Sequence, residues 1–157
     1  MKCLVIAPPP VYHSTESIDH FKKHIQIFAN RYDIVPRLSL YTLAKFYESA
    51  TIIDQLLDLD ISKIPSIVSG SFTLDQQTSQ KIIEVLDTAT VTSFIELEHP
   101  GQIFYLDHAK DSEIYGIFKT PKKFFARMLL RHEMIYSHFT GNYEKAFANV
   151  ELGNLLL

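Results

Sequence analysis

The residues best suited to chemistry in this chain are a few histidines and two hydroxyl-rich turns. Two His-x-Thr tripeptides occur, His13-Ser14-Thr15 and His138-Phe139-Thr140. An imidazole changes charge near neutral pH, so His13 and His138 are the candidates for general acid–base work. His20 and His24 lie four apart, and on a helix they share one face, a spacing that can hold a metal. Such a site needs further ligands. His13 or Asp19 would have to serve, because no second pair with metal-like spacing occurs. Glu96, Glu98, Asp107 and Lys110 form a carboxylate-and-lysine set that can hold a divalent ion if neighbouring strands gather it. Each group also has an ordinary reading as a solvated helix histidine or a strand-face charge, and that reading weighs more. The expectation is therefore no cofactor, no committed catalytic residue and no metal site.

Residues 68–77, VSGSFTLDQQ, offer different chemistry. An apolar run leads into Ser69, Gly70 and Ser71, and Thr73 opens a helical pattern with Gln76 at capping-box spacing. A second hydroxyl-bearing turn holds Ser14 and Thr15. Turns of this kind feed helix N-termini, whose unpaired N–H groups and dipole favour an anion. Gly70 would let backbone approach a phosphate closely. Ser14, Thr15, Ser69, Gly70, Ser71 and Thr73 are thus the candidate ligand-binding residues. The same residue types build any capped strand-to-helix turn. Ser69 and Ser71 lack the G-x-S-x-G setting of a nucleophile, and no GxGxxG or GxxxxGK[ST] run is present.

Two short resemblances are visible. The paired HxT tripeptides resemble the motifs of 2H phosphoesterases, which would imply two histidines acting on a phosphate ester. That family carries its motifs on strands in two similar lobes, whereas here the patterns place one in a loop and one near a helix end. Arg127-x4-His132 and Arg131-x6-His138 resemble the Arg–His spacing of HEPN ribonucleases, which would imply an all-helical fold. Both resemblances stop at these few residues.

The elements that must position such groups follow from periodicity. Residues 2–7 read as a continuous apolar strand ended by Pro8, Pro9 and Pro10. A stripe of Ile18, Phe21, Ile25 and Phe28 predicts a helix running to about Arg31. Residues 33–38 predict a short strand. Leu43, Phe46, Tyr47, Ala50, Ile53 and Leu57 predict a helix over about 39–59. Residues 64–68 predict a third strand, and a helix follows to about Asp87. Strands are then expected at 91–98, 103–108 and 113–119, the first two joined by a type II turn at His99-Pro100-Gly101-Gln102. Thr120 and Pro121 predict a helix start, Gly141 its end, and a last helix covers about 142–152. The order βαβαβα, then an antiparallel three-stranded meander, then C-terminal helices, predicts an α/β fold with a three-layer sheet.

Length and composition fit that reading. A chain of 157 residues with 46% hydrophobic and 21% charged residues is expected to form one domain, residues 1–157, with a real core. The formal net charge of −3 and the scattered Lys and Arg show no basic face for nucleic acid. No span reaches the length of a membrane helix. One cysteine, Cys3, and no signal-like N-terminus point to a reducing cytoplasm. Leu152, Leu155, Leu156 and Leu157 make an apolar end that suits a subunit interface or docking on its own core. The leading expectation is a non-catalytic interaction protein, an accessory subunit, inhibitor or adaptor, with a protein partner or its own copy. The alternative is a domain binding a nucleotide-like or other phosphorylated small molecule, with phosphoester hydrolysis as its extension.

Overall fold

A computed structural model describes residues 2–13, 22–57, 66, 71, 73–89, 91–109 and 111–151. The elements in chain order are β1 (Cys3–Ile6), β2 (Ile25–Asn30), α1 (Leu40–Leu57), α2 (Gln76–Thr88), β3 (Gln102–Asp107), β4 (Gly116–Thr120) and α3 (Thr140–Ala148). They build an α/β protein with one four-stranded mixed sheet in the order β1-β2-β3-β4. β1, β2 and β3 run parallel, and β4 closes the sheet antiparallel to β3. The chain divides into two compact units, residues 1–43 with 95–157 and residues 44–94, and the division falls within α1.

In the first unit the strands alternate faces at period two. Ile27 and Ala29 of β2 pair in register with Ile103 and Tyr105 of β3 and cluster with Phe125 on one face. The intervening residues, Phe28 of β2 and Leu106 of β3, belong to the opposite face, where Leu106 packs with Ala7, Tyr115, Tyr143 and Ala146. Tyr143 and Ala146 lie three apart on α3, so one stripe of that helix covers this face. Phe28 stacks with Phe104 at 5.4 Å and meets Phe147 edge-on at 5.2 Å. In the second unit, α2 is capped by Asp75, whose side chain accepts from the backbone N–H of Thr78 at 2.8 Å.

Several expectations are corrected. The helix expected to reach Arg31 has ended by Lys22, and residues 25–30 are β2. IQIFAN alternates as well as it repeats at three and four, and pairing with two neighbours decides for the strand. Residues 33–38 form no strand, because Val35–Arg37 is a 3-10 turn with proline in its first turn. Residues 91–98 form no strand either, and Glu98 only bridges to Tyr12. There is thus no separate three-stranded meander; 102–107 and 116–120 are the third and fourth strands of a single sheet. Pro121 precedes a 3-10 turn, Lys122–Phe125, rather than a long helix. Gly141 sits in the first turn of α3 instead of ending a helix. The expected strand at 64–68 falls outside the described residues except for Ser66. No helix among the described residues is long and apolar enough to cross a membrane.

Candidate functional site

Two parallel strands, β2 and β3, end side by side, and both end in polar residues. In open α/β sheets this carboxyl edge is where ligands collect. β2 runs out into Asn30, Arg31, Tyr32 and Asp33, and β3 into Asp107 and His108. The turn after β2 is tight. Arg31 adopts φ 37°, a left-handed conformation, while its N–H still donates to the carbonyl of Leu106 at 2.8 Å. Ala7, just past β1, does the same at φ 48° with the carbonyl of Phe28. Each costs roughly 1 kcal/mol for a residue with a Cβ, so the surrounding contacts must hold them.

Asp33 is buried, and three donors satisfy its carboxylate. The backbone N–H of Val35 donates to Oδ1 at 2.9 Å, and the Tyr143 hydroxyl donates to Oδ2 at 2.7 Å. The third donor is Nδ1 of His138, 3.1 Å from Oδ2. The Tyr143 oxygen in turn accepts the N–H of Asn30 at 2.8 Å. Burial first, then the neighbouring Asp33 charge, pushes the Tyr143 hydroxyl well above its ordinary range, so it stays a donor. A carboxylate on Nδ1 fixes the His138 ring and leaves Nε2 as its basic nitrogen, half-exposed at the surface.

Arg31 forms the second half of the site. Its Nε donates to Asp107 Oδ1 at 3.1 Å, and its Nη1 lies 2.8 Å from His108 Nε2. A guanidinium only donates, so His108 accepts at Nε2 and carries its proton on Nδ1, 2.8 Å from the carbonyl of Ala109. Tyr32 lies under two guanidiniums, with Arg31 5.0 Å and Arg131 5.4 Å from its ring centre. An open cavity of about 520 Å³ adjoins, lined by Asp107, His108, Ser112, Ile114, Phe118 and Glu151 among others.

Of the residues singled out in the sequence, His138, Asp107 and Arg131 enter this arrangement. His13 is exposed beside the Tyr12–Glu98 bridge. His24 accepts the N–H of Cys3 through its backbone carbonyl. Ser71 donates its N–H to Ser66, and exposed Thr73 does not cap α2, since Asp75 does. Ser14, Thr15, His20, Ser69, Gly70, Lys110, Leu152, Leu155, Leu156 and Leu157 lie outside the described residues. Among the described residues no three His, Cys, Asp or Glu gather to hold a metal. Glu98 is paired with Lys122 at 2.6 Å and Asp107 with Arg31. His132 pairs with its neighbour Glu133 in a turn region, and the sheet separates this fold from the all-helical HEPN pattern. Asp33 and Arg31 were not among the residues singled out. The sequence holds only a weak signal for them, namely polar residues directly after an apolar run.

Comparison of the chain with protein-family models, with curated proteins and with solved structures finds no match.

Proposed function

We propose that the carboxyl edge of β2 and β3 binds a nucleotide-like phosphorylated small molecule, with His138 as its acid–base group. The observation that carries this reading is the buried Asp33 carboxylate on His138 Nδ1, which orients the ring and leaves Nε2 outward. Three further features support it. Arg131 supplies a guanidinium held over Tyr32. Tyr136 and Phe139 are exposed and meet edge-on at 5.6 Å, so ring faces suited to a nucleobase flank His138. The site also sits where α/β sheets place ligands.

The test is calorimetric titration with AMP and with inorganic phosphate, together with hydrolysis of bis(p-nitrophenyl) phosphate. AMP should bind more tightly than phosphate, and Arg131→Gln should weaken both. His138→Asn should lower any hydrolysis by about a hundred-fold while leaving AMP affinity within a few-fold. Absence of AMP binding to the unaltered protein would sink the reading.

A protein-interaction role is the second reading. Leu4 and Ile6 of β1 are 65% and 55% exposed, and Val11 is 65% exposed. Apolar side chains this open on an edge strand favour a partner surface.

A further inference from the structure

The Asp33–His138 pair presents an oriented base. Oδ2 of Asp33 lies 3.1 Å from Nδ1 of His138, so the basic nitrogen of the neutral ring is Nε2, on the far edge. The His138 side chain is 42% exposed and that of Asp33 is fully enclosed, so the free edge of the ring lies on the solvent side. A base in this position takes a proton from a nucleophile, and the surroundings narrow what that nucleophile is. The Tyr143 hydroxyl is engaged by Asp33 and Asn30. Ser137, beside His138 in the chain, is buried. Among the described residues no hydroxyl or thiol is hydrogen-bonded to Nε2.

The nucleophile therefore arrives as water or as part of the ligand. A hydroxyl held beside the phosphorus on the same molecule acts at an effective concentration of about 10⁵ M or more, whereas a water has to be placed by further groups. Charge narrows the ligand again. Arg131 lies 5.4 Å from the ring centre of Tyr32, while Arg31 is held by Asp107 and His108. Glu133, the one carboxylate between Arg131 and His138, is turned to His132 at 3.0 Å. One guanidinium matches the single charge of a phosphodiester better than the double charge of a monoester.

Building on the nucleotide reading above, we infer that the site takes a ribonucleoside phosphodiester, a 3′-phosphate ester beside a free 2′-hydroxyl, and cleaves it by internal transfer. The 2′-oxygen attacks phosphorus as its proton passes to Nε2 of His138. The bond from phosphorus to the leaving oxygen breaks, and that oxygen departs with the electron pair and takes a proton from solvent. The product is a 2′,3′-cyclic phosphate, and His138 returns its proton to water. Arg131 meets the non-bridging oxygens. The exposed rings of Tyr136 and Phe139, edge-on at 5.6 Å, offer faces to the base. The grip is on one phosphate and not on a long backbone, in keeping with a chain of formal net charge −3.

The test uses uridine 3′-(p-nitrophenyl phosphate), whose leaving group needs no proton, beside its 2′-deoxy analogue. Release of nitrophenolate gives the rate, and phosphorus NMR identifies the product. The ribonucleotide should yield the 2′,3′-cyclic phosphate. The deoxy analogue should bind within a few-fold, read as inhibition, yet react at no more than about a thousandth of the rate. His138→Asn should lower the ribonucleotide rate by about a hundred-fold. Should that variant fail to fold, the comparison of the two esters decides. Comparable rates for both esters would show that water attacks, and would overturn the inference. A rate unchanged in a folded His138→Asn protein would overturn it as well. Binding of AMP without any cleavage of the ribonucleotide ester removes this inference alone, whereas absence of AMP binding removes the reading on which it rests.

Discussion

At the scale of single residues, Tyr143 is the strongest joint between sheet and helix. Its hydroxyl is donor to Asp33 and acceptor from Asn30, both within 2.8 Å. Tyr143→Phe keeps the ring, which is 2% exposed, and removes only the oxygen. The N–H of Asn30 then loses its partner, and the buried Asp33 carboxylate loses one of three donors. An unmet buried donor and a lost charge-assisted bond together give an expected cost of about 3 kcal/mol, read from the shift in urea midpoint at unchanged slope. A loss below about 0.5 kcal/mol would mean that water replaces the hydroxyl without penalty. His138 was legible as a candidate because its residue type alone announces acid–base chemistry. Asp33 was not, because its partners stand 105 and 110 positions away and nothing local marks the meeting.

At the scale of elements, Gly101 is the residue that lets β3 lie against β2. A Cβ there would stand 2.5 Å from the carbonyl oxygen of Ile25 and 2.7 Å from its Cγ2, too close to backbone that pairs with Cys3. Gly116, in β4, meets only the ring end of Phe118 at 2.8 Å, and a ring can turn aside. Gly101→Ala should therefore destabilise by about 1–3 kcal/mol, the cost of overpacking, and Gly116→Ala by clearly less. Thermal unfolding of the two variants side by side checks the order, and the reverse order would refute this account of the β2–β3 contact. The sequence read this region as a turn because Pro100-Gly101 is turn chemistry, but the glycine answers a close approach from a strand 76 positions upstream. β1, α1, α2, β3 and the last helix were legible because their apolar pattern admits one period. β2 was not, because Ile25 and Phe28 continue a helical stripe while Ile25, Ile27 and Ala29 alternate as a strand, and only the flanking strands resolve them. The missing strand at 91–98 has the same cause in reverse. Its β-prone composition does not decide pairing: β3 already has β2 on one side and β4 on the other, and the segment meets a neighbour only at the Glu98–Tyr12 bridge.

At the scale of the molecule, the mixed sheet buries its middle and leaves an open margin at β1. β2 and β3 carry side chains that are 0–1% exposed, at Ile27, Ala29, Ile103 and Leu106. β1 pairs only with β2, and Leu4 and Ile6, two apart, point their side chains to one face. Such an edge invites a neighbour either by strand addition or by packing of the face. Strand addition is opposed here: β1 has four residues and Pro8, Pro9 and Pro10 follow it closely, short length and proline being the usual means of blunting an edge. Packing of the apolar face is not opposed by any charge on Leu4 or Ile6. The expected outcome is concentration-dependent association through this face, seen as a mass that rises with concentration in light scattering. The double substitution Leu4→Lys and Ile6→Lys should return the protein to a monomer across that range, because two like charges facing each other across a symmetric contact repel. Stability should change little, since both side chains already sit in water. A protein that is monomeric before substitution at every concentration would remove the support for the interaction reading and leave the polar edge at Asp33 and His138 as the functional surface of the sheet.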